Sequence, residues 1–192
     1  MAFDPSLPTL DHELAEDELT LIRSARADFA AARAANHAAP PKEVLRQILA
    51  QEKHWPGPQA PDLSGPGPWR LGRNRHGRGV AAVFLPYVEL HTHAKSRTDQ
   101  FPIYTIGATQ GFSLGDAGTP ILTEVTPDSH FHNAPGVPHA FLPTPGAPRP
   151  ENWEIAFLAI TPRNLQEDTQ AVTEEVRATY QQATGSKAPR GV

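Results

Sequence analysis

The chain has 192 residues, of which 39% are hydrophobic and 20% are charged, and this composition fits one globular domain of ordinary size with additional arms. Its 17 basic and 21 acidic residues give a net charge of −4 without a long basic run, so we expect no nucleic-acid partner. The absence of cysteine excludes disulfides, thiolate metal ligands and cysteine nucleophiles.

The beginning of the sequence carries no targeting signal that we can identify. Met1 to Pro5 lack the basic flank and apolar stretch of a signal peptide, and no later segment approaches the ~18 consecutive apolar residues of a membrane span. We therefore expect a cytoplasmic protein that does not enter a membrane.

Helical periodicity dominates the first part of the chain. Apolar residues recur at helical spacing over residues 11–36, and a second amphipathic helix is predicted from Pro41 until Pro56 ends it. The Pro- and Gly-rich segment 56–68 can sustain neither a helix nor a strand ladder. Residues 1–68 are therefore predicted to form a helical arm and a connector, with the helices covering a sheet face or a dimer seam.

A short arginine-rich stretch follows the connector. The sequence R-L-G-R-N-R-H-G-R from Arg70 to Arg78 holds four arginines among glycines. We interpret it as a solvated loop entering the first strand, and the alternative is an anion-binding role.

Short apolar runs separated by Gly, Pro and Asp fill residues 69–162 and predict an all-β sandwich or barrel. Residues 163–192 are predicted to hold a closing helix over 164–182, with Asn164 and Glu167 spaced as a capping box. The predicted strands span residues 79–85, 87–93, 101–106, 111–114, 121–125, 129–132, 139–142 and 153–160.

Three histidines on two of these strands predict a metal site. In V-E-L-H-T-H, His91 and His93 are two positions apart, so a strand places both on one face. His139 lies in the later segment G-V-P-H-A-F and can supply a third imidazole. Three nitrogen donors would leave coordination positions open for substrate, water or dioxygen.

The other histidines have plainer interpretations. His130 and His132 could be a fourth ligand or a proton relay, but we favour a place at the barrel rim, because Asp128 and Asn133 mark a turn there. The remaining histidines lie in the arms and connector without partners at useful spacing, and we predict surface positions for them: His12, His37, His54 and His76.

The two histidine segments together resemble the paired motifs of the cupin superfamily. The first cupin motif has H-x-H, a later Glu and then a turn glycine, and the second motif ends in P-x-G-x-x-H. Here His91-Thr92-His93 matches the H-x-H of the first motif. Residues 134–139 match the second motif, with Ala134 in place of its first Pro. The resemblance covers residues 80–160. It implies a jelly-roll β-barrel with a metal held by His91, His93 and His139.

The glutamate of the first motif is missing from this chain, because Lys, Ser, Arg and Thr occupy residues 95–98. Counting back from Gly107, the family spacing reaches Gln100, with a two-residue insertion in the preceding turn. An amide oxygen coordinates more weakly than a carboxylate, so a three-histidine site with Gln100 nearby ranks above a four-ligand site. Asp99 is the other candidate, although strand alternation places it on the opposite face.

Strand alternation also nominates residues of the pocket. Tyr87 and Glu89 share the face of His91 and His93, and Tyr104 shares the face of Gln100. Glu89 could bond a ligand imidazole or act as an acid or base, and Tyr104 could donate a hydrogen bond to substrate or move a proton; for both, the alternative is a satisfied structural residue.

These observations predict a mononuclear metalloenzyme acting on a small organic molecule. Three neutral ligands leave the full charge of the ion in the site, which favours an anionic, chelating substrate. The favoured ion is Fe(II), with Mn(II), Ni(II) or Zn(II) as alternatives, and the resemblance to cupin dioxygenases implies oxidative chemistry. The alternatives are a lyase or isomerase that uses the metal as a Lewis acid, and a non-catalytic sensor or carrier.

A homodimer is also expected. An open jelly-roll edge and an amphipathic N-terminal arm suggest that the arm of one subunit covers its partner.

Overall fold

Two five-stranded antiparallel sheets form the centre of the protein in a computed structural model that describes residues 13–85, 90–162 and 168–187. The strands are β1 Trp69–Arg73, β2 Gly79–Leu85, β3 His91–His93, β4 Thr98–Ile106, β5 Thr109–Leu114, β6 Pro120–Glu124, β7 Phe131–Asn133, β8 His139–Pro143, β9 Glu154–Thr161 and β10 Thr169–Ala171.

The strand order is that of a jelly roll. The first sheet runs β1-β2-β9-β4-β7, and the second runs β10-β3-β8-β5-β6. Successive strands from β2 to β5 alternate between the sheets, as do those from β6 to β9, and every pairing is antiparallel. The central orders 2-9-4-7 and 3-8-5-6 are two interlocked Greek keys, which confirms the predicted jelly-roll barrel.

An aromatic layer fills the space between the two sheets. Phe141 of β8 contacts Phe131 of β7 and Phe157 of β9, with ring centroids 5.1 and 5.3 Å apart. Gly111 of β5 makes room for this layer, because a Cβ atom there would lie 2.5 Å from the Phe131 ring. Residues that share the face of this layer therefore point into the barrel.

Helices cover the outer faces of both sheets. Helices α1 (Glu16–Ala35) and α2 (Pro41–Leu49) bury their apolar faces against the first sheet in one cluster. Helix α3 (Glu174–Thr184) packs on the second sheet, where the Tyr180 ring meets Phe112 at 5.0 Å. Covering a sheet face was one of the two roles predicted for the N-terminal helices. Among the described residues, no helix combines the length and apolar character needed to cross a bilayer.

The stretch from Arg70 to Arg78 is only in part the predicted solvated loop: Arg70, Arg73 and Arg75 are exposed, but Arg78 is buried and anchors α1. Its first part lies in β1, and Arg78, which is only 9% exposed, forms a buried ion pair with Glu18 of α1. The Arg78 Nε donates to Glu18 Oε1 at 2.7 Å, and the side-chain amide of Asn74 donates to the same oxygen. These groups satisfy a carboxylate that burial would otherwise penalise.

The end of the chain differs from the prediction of one continuous helix. Residues 169–171 form β10, which pairs with β3 in the register Thr169 to His93 and Ala171 to His91. Helix α3 begins only at Glu174, with the Thr173 hydroxyl accepting a hydrogen bond from the Val176 amide. The predicted capping box of Asn164 and Glu167 lies outside the described residues.

Candidate metal centre

Strand register brings the three predicted histidine ligands together. His91 and His139 stand directly opposite each other in the β3–β8 pairing, so their side chains share one face of the second sheet. His93 shares that face because it lies two positions from His91, and His139 lies two positions from the inward-facing Phe141. All three imidazoles therefore point between the sheets.

The three imidazoles form one compact cluster. Each offers a nitrogen, and these nitrogens all lie within 4.8 Å of one another. The ring centroids of His91 and His139 are 4.5 Å apart, and that of His93 lies 5.0 and 5.2 Å from them. Metal–imidazole bonds about 2.0–2.1 Å long require ligand nitrogens no more than about 4.2 Å apart, so a bound cation would draw the rings together by at most about 0.6 Å.

Hydrogen bonding leaves ligand atoms directed into the cluster. Nδ1 of His139 is 2.9 Å from the Val137 carbonyl, which accepts a hydrogen bond from it and leaves Nε2 with a free lone pair. Nε2 of His139 and Nε2 of His93 are both buried, and neither has a hydrogen-bond partner among the described residues. Buried unpaired acceptors are costly, so this donor set fits a metal ion.

Burial keeps the imidazoles of His93 and His139 neutral. Desolvation, with His91 nearby, lowers the pKa of His93 to about 3. Desolvation by complete burial, together with the neighbouring His91 and His93, lowers the pKa of His139 well below its ordinary value. Metal binding needs the deprotonated ring, so both histidines are ready to coordinate at neutral pH.

The cluster contains no carboxylate within the described part of the chain. Asp99, the alternative ligand, faces away from the barrel interior, as strand alternation predicted. It accepts hydrogen bonds from Arg97 Nε at 2.8 Å and His130 Nε2 at 2.7 Å, and His132 Nδ1 lies 3.4 Å away. Burial raises the pKa of Asp99, but the bonds from His130 and Arg97 outweigh that effect and lower it overall.

His130 and His132 are thus neighbours of Asp99 and do not belong to the three-histidine cluster. The side chains of both are about 40% exposed, at 38% and 40%. They were predicted to lie at the barrel rim, and the structure places them on the outer surface of the first sheet, beside Asp99.

Gln100 lies on the inner face of β4 but is already engaged. It stands opposite Ala159 of β9 and Phe131 of β7, two residues of the barrel interior, and is 4% exposed. Its Oε1 accepts a hydrogen bond from Asn133 Nδ2 at 3.1 Å. The amide oxygen that was predicted as a possible metal ligand therefore has a protein partner.

The expected face of Tyr104 is wrong. A β-bulge between Pro102 and Tyr104 inserts a residue and reverses the alternation, so Tyr104 points to the outer side of the first sheet. There its ring stacks on Phe29 of α1 at 5.5 Å, and its hydroxyl donates to Glu154 Oε1 at 2.6 Å. Burial and the Glu154 carboxylate raise the pKa of this phenol, which suits a structural contact.

The predicted pocket residues Glu89 and Tyr87 lie outside the described residues, so the structure does not test them. The predicted surface position of His54 is wrong, because His54 is 1% exposed and its Nε2 is 2.8 Å from Asp28 Oδ2 of α1. His37 is exposed, as predicted.

Sequence reasoning missed Thr98 and Asn133, which accompany Gln100 on the inner face of the first sheet. Thr98 stands directly opposite Asn133 in the β4–β7 pairing, and both are buried. Alternation from Gln100 and from Phe131 could have found them.

Comparison with known proteins adds limited information. No family model and no curated protein matches the chain. A tryptophan-to-phenylalanine variant of oxalate decarboxylase from Bacillus subtilis is similar in structure, with 18% identity and a TM-score of 0.39, over 56% of this chain and 27% of that one. This chain thus spans about a quarter of that enzyme's length.

Two shorter structures are also similar. A cupin-like protein from Thermotoga maritima has 13% identity and a TM-score of 0.37, over 58% of this chain and 76% of that one. A cupin-2 domain protein from Shewanella frigidimarina has 14% identity and a TM-score of 0.37, over 53% and 85%. At such scores no activity transfers, and the assignment of the fold rests on the strand order.

Strand order and histidine cluster together define a class. The chain is a two-sheet jelly roll whose barrel carries a three-histidine cluster suited to a divalent metal.

Proposed function

We propose that this protein is a mononuclear metal-dependent enzyme acting on a small, anionic, chelating organic substrate. The observation that carries the proposal is the convergence of three imidazole nitrogens within 4.8 Å of one another inside the barrel. Three ligands on one side of an ion leave positions open on the other, which is the arrangement of catalytic rather than structural metal sites.

The charge of the site supports an anionic substrate. His91, His93 and His139 contribute no negative charge, so a bound divalent ion keeps its full charge in a buried space. A carboxylate, enolate or catecholate would neutralise that charge.

The favoured reaction is oxidation by dioxygen. Bound Fe(II) would supply electrons to dioxygen, whereas Mn(II), Ni(II) or Zn(II) would supply Lewis acidity. The chain's own contribution is to orient the ligands and exclude water. Val137 fixes the tautomer of His139, and the aromatic layer of Phe131, Phe141 and Phe157 fills the barrel interior on the same face of β8 as His139.

A non-oxidative lyase or isomerase is the second candidate. It needs a proton-moving group, for which Glu89 is the candidate. The phenol of Tyr104 is hydrogen-bonded to Glu154 on the far side of the first sheet and has no part in this proposal.

A sensor or carrier is the third candidate, and the observation that favours it is the lack of a carboxylate in the described cluster. Metal affinity separates it from the enzyme hypotheses. A protein that holds no metal as purified and binds none added at micromolar levels would be assigned to this class.

Metal content of the purified protein tests the central proposal. Elemental analysis by inductively coupled plasma mass spectrometry should find about one divalent ion per chain. We expect His91→Ala and His139→Ala to lose that ion. His37→Ala is the matched control, because His37 is exposed, whereas the buried His54 contacts Asp28. Retention of the ion in both ligand variants contradicts the proposal.

Oxygen consumption tests the reaction type. Iron-loaded protein should consume dioxygen in the presence of chelating acids or enols. Activity of an iron-free preparation without oxygen would reject the dioxygenase and favour the lyase or isomerase.

The homodimer and the cytoplasmic location stay predictions. Light scattering tests the first, and fractionation of cells tests the second.

A further inference from the structure

A second polar surface lies at the same end of the barrel as the histidines. β3 ends at His93 and β4 begins at Thr98, while β7 ends at Asn133 and β8 begins at His139. The amide of Gly136, in the connection between β7 and β8, donates to the His93 carbonyl at 2.7 Å. The inward-facing residues at these strand ends therefore lie at one end of the barrel, the histidines on one sheet and the polar residues on the facing sheet.

We call this second surface the amide wall, and it consists of Thr98, Gln100 and Asn133. The three residues are 0%, 4% and 4% exposed, and none of them carries a charge. Their inward direction follows from the pairing of Gln100 with Ala159 and Phe131 and of Thr98 with Asn133. A buried apolar barrel has no packing reason to hold three such groups, since each costs free energy unless it is hydrogen-bonded.

One group of the amide wall lacks a protein partner. The Thr98 hydroxyl is buried and has no hydrogen-bond partner among the described residues. A hydroxyl in this position can donate to an oxygen atom that enters the barrel.

The Gln100 amide has a defined orientation. Because Asn133 Nδ2 donates to Gln100 Oε1, the Nε2 amino group is the end of the amide directed away from Asn133. An amino group cannot coordinate a cation, but it donates hydrogen bonds to an anion.

We infer that the amide wall is the surface that recognises the substrate of the metal site, an inference that rests on the proposed function. In this arrangement Gln100 is not a metal ligand but donates a hydrogen bond to the metal-bound anion. Asn133 positions the Gln100 amide, and Thr98 provides a second donor. The substrate class is an organic anion with at least two oxygen atoms, such as a hydroxy acid, an oxo acid or an enolate. Its oxygens bind the metal, and at least one of them also accepts a hydrogen bond from the amide wall.

Neutral donors suit this task better than charged ones. An arginine or lysine would repel the metal, and a carboxylate would both compete for the metal and repel an anion. Amide and hydroxyl groups strengthen anion binding without either penalty, because hydrogen bonds to a charged group are the stronger kind.

Cobalt-loaded protein provides the test, because Co(II) has visible absorption bands that respond to its ligands. The probes are acetohydroxamate, a chelating oxygen anion, and imidazole, a neutral ligand that binds the metal only. In Gln100→Leu we expect the affinity for acetohydroxamate to fall about 10- to 100-fold, as for the loss of a hydrogen bond to a charged group. The affinities for Co(II) and for imidazole should stay as in the unchanged protein.

A double-mutant cycle tests the positioning role of Asn133. Asn133→Leu should weaken acetohydroxamate binding less than Gln100→Leu does, and the double variant should bind it no more weakly than Gln100→Leu alone. Additive effects would mean that Asn133 acts independently of Gln100 and would contradict its positioning role. Gln47→Leu, at an exposed position of α2, is the matched control for replacing glutamine by leucine.

The outcomes separate this inference from the proposed function. If the unchanged protein binds no Co(II), the metal site itself is refuted. If it binds Co(II) but Gln100→Leu weakens the metal or alters the spectrum without acetohydroxamate, Gln100 is a ligand and the inference fails alone. Unchanged acetohydroxamate binding in Gln100→Leu also overturns it.

Discussion

Thr98 is a residue at which function and stability are expected to conflict. Its hydroxyl is fully buried without a partner among the described residues, and an unsatisfied buried hydroxyl costs about 1–3 kcal/mol. We predict that Thr98→Val, which keeps the side-chain shape, raises the unfolding free energy of the metal-free protein by about 1 kcal/mol. This corresponds to a rise of about 2–4 °C in the midpoint temperature of thermal unfolding. Calorimetry of the apoprotein measures this change.

Thr109→Val is the matched control for that prediction. The Thr109 hydroxyl is equally buried but donates to the Gly107 carbonyl and accepts from Trp153 Nε1, both at 3.1 Å. Its removal should lower the midpoint, because the Trp153 donor is then left unsatisfied. A lower midpoint for both variants would contradict the assignment of Thr98 as unsatisfied.

Single residues were predictable from the sequence where strand alternation holds and not where it breaks. His91, His93, Gln100 and the outward direction of Asp99 follow from counting by two. Tyr104 does not, because the bulge after Pro102 depends on the partner strand β9, which alternation within β4 cannot reveal.

At the scale of elements, one buried ion pair fastens α1 to the barrel. Glu18 accepts from Arg78, from Asn74 and from the amide of Ala15, the last at 2.8 Å. We predict that Glu18→Ala lowers the unfolding free energy by about 3–5 kcal/mol, because it leaves the Arg78 charge buried without its carboxylate. Urea denaturation measures the change.

Glu16 supplies the comparison, since it lies in the same first turn of α1. Its ion pair with Arg23 has a length of 2.7 Å, but the two side chains are 75% and 62% exposed. Glu16→Ala should cost less than about 1 kcal/mol. Equal costs for the two variants would mean that charge at the helix N-terminus, and not the buried pair, is responsible.

A second contact of α1 should be sensitive to pH. Hydrogen bonds from Lys53 and then from His54 lower the pKa of Asp28 below its ordinary value of 3.8. A lowered folded-state pKa contributes stability above the unfolded-state pKa, and this contribution disappears as the pH falls through the folded-state value. The unchanged protein should therefore have a higher midpoint temperature of thermal unfolding than Asp28→Asn at about pH 6–7, and this difference should shrink below about pH 4.

Thermal unfolding across this pH range tests the Asp28 contact. The exposed Asp116→Asn serves as a control for losing one surface charge. A difference that persists undiminished down to about pH 2 would refute the electrostatic origin of the contact.

Helices and strands with a periodic pattern of apolar residues were predictable from the sequence. Strands that form only by pairing with a neighbouring strand were not. β2 spans residues 79–85 as predicted. β1 and β10 were missed, because W-R-L-G-R reads as a basic loop and T-Q-A as part of a helix. Each becomes a strand by pairing at a sheet edge, with β2 and β3 respectively.

At the scale of the whole molecule, the N-terminal helices complete the fold. Their apolar faces join one cluster with residues of the first sheet that would otherwise be exposed, including Leu71, Val80, Phe101, Ile103 and Leu158. We predict that a chain beginning at residue 56 aggregates or binds a hydrophobic dye strongly, whereas one beginning at residue 13 does not. Size-exclusion chromatography distinguishes the two outcomes, and a monomeric, dye-free shorter chain would refute the prediction.

The jelly roll as a whole was predictable because two short motifs constrain distant parts of the chain. Histidines almost fifty positions apart converge here because β3 and β8 are neighbours, and that neighbourhood is a feature of the jelly-roll order. The placement of α1 was not predictable, since it depends on Arg78 and Glu18 meeting across sixty positions.

The pairing of β10 with β3 has a consequence for how the protein is made. The strand that carries His91 and His93 obtains its outer neighbour from residues 169–171, and the Ala94 amide is held by the Asp168 carbonyl. During translation, two of the ligands emerge long before the segment that braces them. A three-histidine cluster whose first strand is paired at both edges can therefore form only after this segment has left the ribosome.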